Sequence, residues 1–317
     1  MVAKPERIGE GEVYPNPQGQ CATTGQKGYG VIPFREHVSF LHSSGVRRSV
    51  VLFKFLCDES YDSQTAEPRT YVVAGFFGDD ITWNDVEARW SEINAGNSVT
   101  RFHASHLNAK TYEYEGWDDK RKIDYSRQML DVITGHKKRL HAYMCTIHAD
   151  EYRRLISASG RENFGPPYLI CFKTCIALLA KEMDDGGFSP EDQFAVYIDR
   201  HEFEAEAVRI FYAMKDDPAF PYRSRLHTCT PAEMDSMIAL QAADLIAYEG
   251  FRWNHDRRRM ADATTRLVMQ AIKDHNGLTE RYYGTKTLTG LKDGIESAVC
   301  LPNRLCILPL NPENAVD

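Results

Sequence analysis

Three aspartates carry the strongest chemical signal in this sequence, because of what precedes each of them. Val50-Val51-Leu52-Phe53-Lys54-Phe55-Leu56-Cys57 is a β-branched and aromatic run, apolar on nearly both phases, and it stops at Asp58-Glu59-Ser60. Phe194-Ala195-Val196-Tyr197-Ile198 repeats the pattern and stops at Asp199. Runs of this kind read as central strands buried on both faces. Ligand crevices in α/β sheets open at the carboxyl ends of such strands. Aspartate is also a common turn residue and helix cap, so either acid alone carries a purely structural reading. Asp244 is harder to explain that way. Met237, Leu240, Gln241, Asp244, Leu245 and Tyr248 fall at helical spacing on one face, which sets an acid and an amide into an apolar stripe. A buried carboxylate without a partner costs several kcal/mol, so Asp244 must meet an arginine, a hydrogen-bond donor or a metal.

Two strand-end carboxylates and one helical carboxylate could converge on divalent cations. Mg²⁺ or Mn²⁺ suits oxygen ligands, and Mg²⁺ keeps waters and substrate phosphates in its shell. A pair of such ions about 4 Å apart can activate a water and stabilise the leaving oxygen in phosphodiester cleavage. Glu59 alternates to the other face if its strand continues, and reaches a metal only if the strand turns there. His103 and His106 form an H-x-x-H pair in Phe102-His103-Ala104-Ser105-His106-Leu107, which reads as a short strand or loop. On such a segment the two rings do not share a face, so the pair is weak as a zinc signature. Both read as hydrogen-bonded or metal-supporting histidines, with His103 placed to orient the site or shuttle protons. His201 and Glu202, just past Asp199, and Gln241, beside Asp244, are candidates for the same supporting role. His136, His141 and His148 show no ligand spacing.

Cations gather in one place. Arg252, His255, Arg257, Arg258 and Arg259 follow the Asp244 helix, with Phe251 and Trp253 interleaved. That mixture suits a phosphate backbone and unstacked bases, although a charge run is equally a solvated face. Over the whole chain 38 basic and 45 acidic side chains leave a formal charge of -7 and a pI near 5.9. This disfavours a non-specific DNA coat but not an enzyme whose cations line one groove. No Walker A, G-x-G-x-x-G or G-x-S-x-G sequence is present, which removes the common ATPase, dehydrogenase and hydrolase readings. None of the eight cysteines forms a CxxC pair, and Cys57, Cys145, Cys171 and Cys175 sit in apolar runs as small buried hydrophobes of a reduced protein do. Met1 to Gln20 has acids, prolines and glycines where a secretory leader needs an apolar stretch. Tyr168 to Ala180, interrupted by Lys173, is too short to span a bilayer. The expectation is a cytoplasmic protein with no membrane partner.

The elements that must position these residues follow from periodicity. A length of 317 residues suggests about two domains. Because 58 and 244 appear in one site, we instead expect an N-terminal arm (1–48), one domain with a helical insertion (49–275) and a C-terminal extension (276–317). Within the domain, strands are predicted at 50–57, 70–77, 139–147, 194–199 and 223–229. Helices are predicted at 82–94 (capped by Asp80 or Thr82), 118–135, from Pro166-Pro167 to 184, 202–215, 236–250 and 261–273. Strands alternating with helices give an α/β or mixed α+β class.

Phe55-Leu56-Cys57-Asp58-Glu59-Ser60, then Val72-Val73-Ala74-Gly75-Phe76, Trp83, Trp90, Phe102-His103-Ala104, Gly116-Trp117 and Leu240-Gln241-Ala242-Ala243-Asp244-Leu245-Ile246-Ala247-Tyr248 occur in that order. Over roughly residues 49 to 260 the chain thereby resembles the domain-of-unknown-function 3800 family, whose fold is regarded as ribonuclease H-like. The resemblance implies a central mixed sheet flanked by helices, with Asp58, Asp199 and Asp244 as a metal-binding carboxylate cluster. Two departures matter: Tyr61 stands where family members often have glycine. His106 stands where many have an acid, which shifts any metal role there toward a nitrogen ligand. The function implied is a Mg²⁺- or Mn²⁺-dependent phosphodiesterase acting on DNA or RNA. Asp58, Asp199 and Asp244 would hold metal, Glu59 and His103 would assist, and Arg252, Arg257 and Arg258 would contact nucleic acid. The alternatives are a non-catalytic binding module of the same fold, or a hydrolase using paired carboxylates on another substrate such as a glycoside.

Overall fold

A computed structural model describes residues 52–62, 69–259 and 266–297. The expected arm at 1–48, residues 298–317, Cys21, Cys300, Cys306, the Arg259 side chain and the start of the helix predicted at 261–273 lie outside the described residues. In chain order the elements are β1 (Leu52–Tyr61), β2 (Thr70–Gly78), α1 (Asp80–Gly96), α2 (Ala104–Ala109), α3 (Asp119–Gly135), β3 (His141–His148), α4 (Ala149–Leu155), α5 (Ala158–Phe164), α6 (Pro167–Asp185), β4 (Gln193–Asp199), α7 (Glu204–Asp216), β5 (Leu226–Ala232), α8 (Leu240–Arg259), α9 (Leu267–His275), β6 (Leu278–Tyr283) and α10 (Thr285–Ser297). Among the described residues no single helix is long and apolar enough to cross a membrane.

The strands form one mixed sheet in the order β5-β4-β1-β2-β3-β6. β1, β2 and β3 make an antiparallel meander, while β4 runs parallel to β1, β5 to β4 and β6 to β3. This is the mixed α/β architecture, a central sheet with helices on both faces, that the sequence predicts. β1 is central, so both of its faces are covered. Phe55 and Cys57 enter a core with α6 and α7, and Leu52 and Leu56 enter a second core with α1, α3 and α8. Lys54 belongs to the second face and is fully buried, paired with Asp80 at the start of α1. Burial pulls its ammonium down to about 8 even though Asp80 favours the charged form.

Glycine is required where α8 crosses the sheet. A Cβ on Gly250 would come within 2.5 Å of Met144 Sδ on β3, so α8 lies close enough to the strands for its side chains to reach their ends.

Two expectations are corrected. Phe102 and His103 lie outside any helix, as expected of a strand or loop, but residues 104–109 form the short helix α2, with Ala104 and Leu107 buried at i, i+3. Residues 276–297 are not an appended tail, because Leu278–Tyr283 completes the sheet beside β3. That strand was hidden by Glu280 and Arg281, and Glu280 is neutralised there by Arg257 and Lys273. Charged residues of this kind suit a sheet edge.

Candidate metal centre and its cavity

Strand alternation decides where each acid points. Asp58 follows Lys54 and Leu56 onto the α8 face of β1, and Asp199 follows Ala195 and Tyr197 onto the same face of β4. Cys57 pairs with Ile198 in the parallel ladder. One residue farther on, Asp58 and Asp199 therefore stand side by side, about one strand spacing (roughly 5 Å) apart along the backbone. Asp244 descends toward them from α8, which packs across β1 and β2. All three aspartates, with Glu59, line one cavity of about 1210 Å³.

Asp58 and Asp244 are almost fully buried. No arginine or lysine pairs with Asp58, Asp199 or Asp244 among the described residues, where Asp244 makes its one ion pair with His103. Asp58 Oδ1 accepts from the backbone N–H of Glu59 at 2.8 Å. Asp244 Oδ2 accepts from the backbone N–H of Ala104 at 2.6 Å and faces His103 Nδ1 at 3.4 Å. Burial, then the charges of Glu59, Asp244 and Asp199, push Asp58 well above the usual carboxylate range. Burial and Asp244 push Asp199 up to about 6, against the pull of the Arg200 backbone, Arg101 and His103. Glu59 rises to about 8 through burial and the charge of Asp199. These acids thus feel one another and want a cation.

β1 continues to Tyr61, so Glu59 takes the opposite face, as strand alternation requires. It meets His201 Nε2 at 3.3 Å, and that nitrogen also lies 2.9 Å from the Tyr168 hydroxyl. His201 Nδ1 accepts from the Phe203 N–H at 3.0 Å, so the ring proton sits on Nε2. Burial lowers His201 to about 4. His201 therefore works as a neutral donor bracing Glu59 from below the strand, and it is not among the cavity's lining residues.

Gln241 is not at the cavity either. It is fully buried, and its Oε1 accepts from Trp90 Nε1 at 3.0 Å, Asn94 Nδ2 at 3.1 Å and the Phe102 N–H at 2.9 Å. Gln241 and Asp244, one turn apart on α8, thus clasp consecutive parts of the 102–104 backbone. His103 caps the N-terminus of α2 and His106 lies in its first turn, which brings their ring centroids to 4.0 Å; both line the cavity. Arg252 and Arg258 line it too, with Arg258 paired to Asp150. Arg257 does not. It reaches Glu280 at 3.5 Å and packs over the rings of Trp253 and Tyr282. His136 meets Asp85, His141 Thr279 and His148 Tyr282, all away from the acids. Sequence reasoning missed Arg101 and Tyr248 at the cavity wall and Tyr168 behind Glu59. Arg101 adjoins the Phe102-His103-Ala104 segment, and Tyr248 lies one turn beyond Asp244; those adjacencies were the available signals. Nothing in the sequence links Tyr168 to His201.

Among the described residues no three His, Cys, Asp or Glu side chains are grouped so as to hold one ion between them. The donor set nevertheless fits a hard divalent cation. Mg²⁺ is usually held by one or two carboxylates, with waters and substrate oxygens completing its shell, and the adjacent Asp58 and Asp199 supply that number.

The raised acids make stability depend on pH with a definite sign. A carboxyl whose folded value exceeds its unfolded value near 4 binds its proton more tightly when folded. Its contribution is present in acid and is lost as pH rises through about 6 for Asp199 and about 8 for Glu59. Thermal midpoints in EDTA should therefore decline across this window in the wild type and decline less in Asp199→Asn. Identical pH slopes in the two proteins would contradict the assignment.

No family model and no curated protein matches this chain. Solved structures similar to it include two of Bst-RNase HIII. One is an alanine-substituted variant of Bst-RNase HIII, at 15% identity and a TM-score of 0.35, covering 77% of this chain and 73% of that one. The other is Bst-RNase HIII in complex with Mn²⁺, at 15% identity and a TM-score of 0.34 with the same coverage. At that level of likeness the cavity's own residues must carry its chemistry.

Proposed function

We propose that this protein is a Mg²⁺- or Mn²⁺-dependent phosphodiesterase, and that its substrate is nucleic acid. The observation that supports this best is that Asp58 and Asp244, both buried, and the half-buried Asp199 face one cavity from two strand ends and a helix, with no arginine or lysine ion-paired to them among the described residues. The D-E-S ending β1 and Asp244, the acid of the L-Q-A-A-D piece opening α8, both line that cavity, in keeping with what the resemblance to the domain-of-unknown-function 3800 family implies.

Asp58 and Asp199 would hold the cation, and Asp244 would complete the negative wall above them. The bound cation would supply Lewis-acid stabilisation of a phosphoryl oxygen and a water of lowered pKa. Asp244 is fixed by the Ala104 N–H and by His103. With the His103 Nδ1 proton turned to Asp244, its Nε2 keeps a lone pair and can accept a proton inside the cavity. Glu59, braced by His201, closes the floor from the other face of β1. Arg101 and Arg252 stand on the wall where phosphate oxygens would pass.

The test is a titration with Mg²⁺ and Mn²⁺ followed by thermal unfolding. The wild type should gain several degrees at millimolar metal, more at pH 8 than at pH 6 because binding competes with protons. Asp58→Asn should gain far less. Equal shifts in the two proteins, or none in either, would favour the non-catalytic module.

A further inference from the structure

The H-x-x-H pair does not stop at the acids. His103 faces Asp244, the His106 ring lies 4.0 Å from the His103 ring, and the Tyr112 ring lies 4.3 Å from that of His106, with interplanar angles of 39° and 34°. Three rings thus form a ladder leading from the acid cluster to the surface. The outermost, Tyr112, is 74% exposed, so a large aromatic face ends in solvent with room for another ring upon it.

Tyr112 is held there against its backbone preference. Its φ is +56°, in the left-handed region, and Lys110 two residues earlier has φ +55°. Left-handed backbone is uncommon for any side chain other than glycine and unfavourable for a bulky one. Such strain persists where surrounding structure imposes it and is concentrated at binding sites. Here the Thr111 N–H bonds the His106 carbonyl at 3.1 Å, closing the turn that swings Tyr112 back over His106. Glycine would make this turn without strain, but it would remove the ring.

We propose that the His103–His106–Tyr112 ladder is a stacking platform for an unpaired base, making single-stranded nucleic acid the substrate class of the acid cavity. The inference rests on the phosphodiesterase reading for its substrate's backbone, and on the ladder for its strandedness. A base continues a ring ladder only when its face is uncovered, as in a single strand; in a duplex its neighbours occupy both faces. Arg101 and Arg252, lining the same cavity, supply cations for the phosphates of the strand. Tyr248 and Phe251 on α8 add aromatic surface to that cavity.

The experiment measures fluorescence anisotropy of a labelled 12-nucleotide single strand and of the same sequence as a blunt duplex. Both are measured in Ca²⁺, with wild type, Tyr112→Phe, Tyr112→Ala and Tyr112→Gly. The single strand should bind wild type and Tyr112→Phe alike and lose about tenfold in affinity with Tyr112→Ala and Tyr112→Gly, as removal of one stacking partner does. Duplex affinity should not move. Tyr112→Gly should also raise the thermal midpoint, because relief of the left-handed backbone is separable from loss of the ring. Unchanged single-strand affinity in Tyr112→Ala would overturn the platform. So would equal losses for strand and duplex, or displacement of the strand by AMP at matching concentrations. If the strand binds through Tyr112 but Mg²⁺ and Mn²⁺ give no cleavage, the platform stands and the phosphodiesterase reading falls. Metal-dependent cleavage indifferent to Tyr112 gives the converse.

Discussion

Asp244→Asn is expected to abolish metal-dependent cleavage, with a loss of about a thousandfold or more, while the protein stays folded. The size follows from the lost charge. A carboxylate whose charge faces a catalytic cation held by its neighbours contributes several kcal/mol of transition-state stabilisation, and each ~1.4 kcal/mol is a factor of ten in rate. The intact fold follows from the geometry. An amide oxygen can still accept the Ala104 N–H that Asp244 Oδ2 accepts at 2.6 Å. The amide nitrogen can donate to His103 Nδ1 if that ring changes tautomer. Removing one of several mutually repelling acids should leave the thermal midpoint in EDTA equal or higher. Cleavage assays with single-stranded and duplex substrates, beside unfolding curves, check both halves. Cleavage at the wild-type rate would remove Asp244 from the site, whereas a collapsed midpoint would make it a structural residue.

The largest effect on stability should come from Gln241→Leu, which keeps most of the side-chain volume and none of the hydrogen bonds. The single oxygen Oε1 serves three buried donors on α1 and on the segment before α2, and Nε2 donates to the Met234 carbonyl at 3.2 Å. A buried donor left without a partner costs about 1–3 kcal/mol. Three of them, partly relieved by relaxation, should cost on the order of 3–6 kcal/mol in urea unfolding. A loss below about 1 kcal/mol would mean that water or a neighbour satisfies these groups. The same substitution loosens the strap that carries His103 and the Ala104 N–H, so activity should fall even in the fraction that stays folded.

Much of the site was legible because it is written in strand periodicity. Asp58 and Asp199 were found as acids terminating apolar runs, and the parallel pairing of β1 with β4 puts them on one face for that same reason. Asp244 was found because helical spacing set it in an apolar stripe, and Gln241 was found with it. Their different roles were not legible. Whether an amide on that face meets a cavity or a tryptophan depends on α1 packing over α8, which no local pattern reports. The approach of His103 and His106 is not legible in the sequence: six residues are too few to show a helical period, and it takes the helix starting at Ala104 to bring His106 back over the capping residue His103. Arg257 looked equivalent to Arg252 in the sequence, yet helical rotation turns it toward Glu280 on β6. That strand was unreadable because its two central residues are charged.

The pairing of β1 with β4 also sets when the site can exist. β1 and β2 are joined by a short connection and can pair early, at small loop-closure cost, whereas β3 follows only after α1, α2 and α3. Leu52, however, pairs with Gln193, and Asp244 arrives on a helix still farther along. Contacts of such long range form late. On a ribosome, which releases the chain from its N-terminus, Asp58 is made long before its partners and waits in an incomplete sheet. The acids can therefore meet only after the chain has been synthesised through Asp244, so a nascent chain or one ended before that helix carries the first aspartate without the cluster.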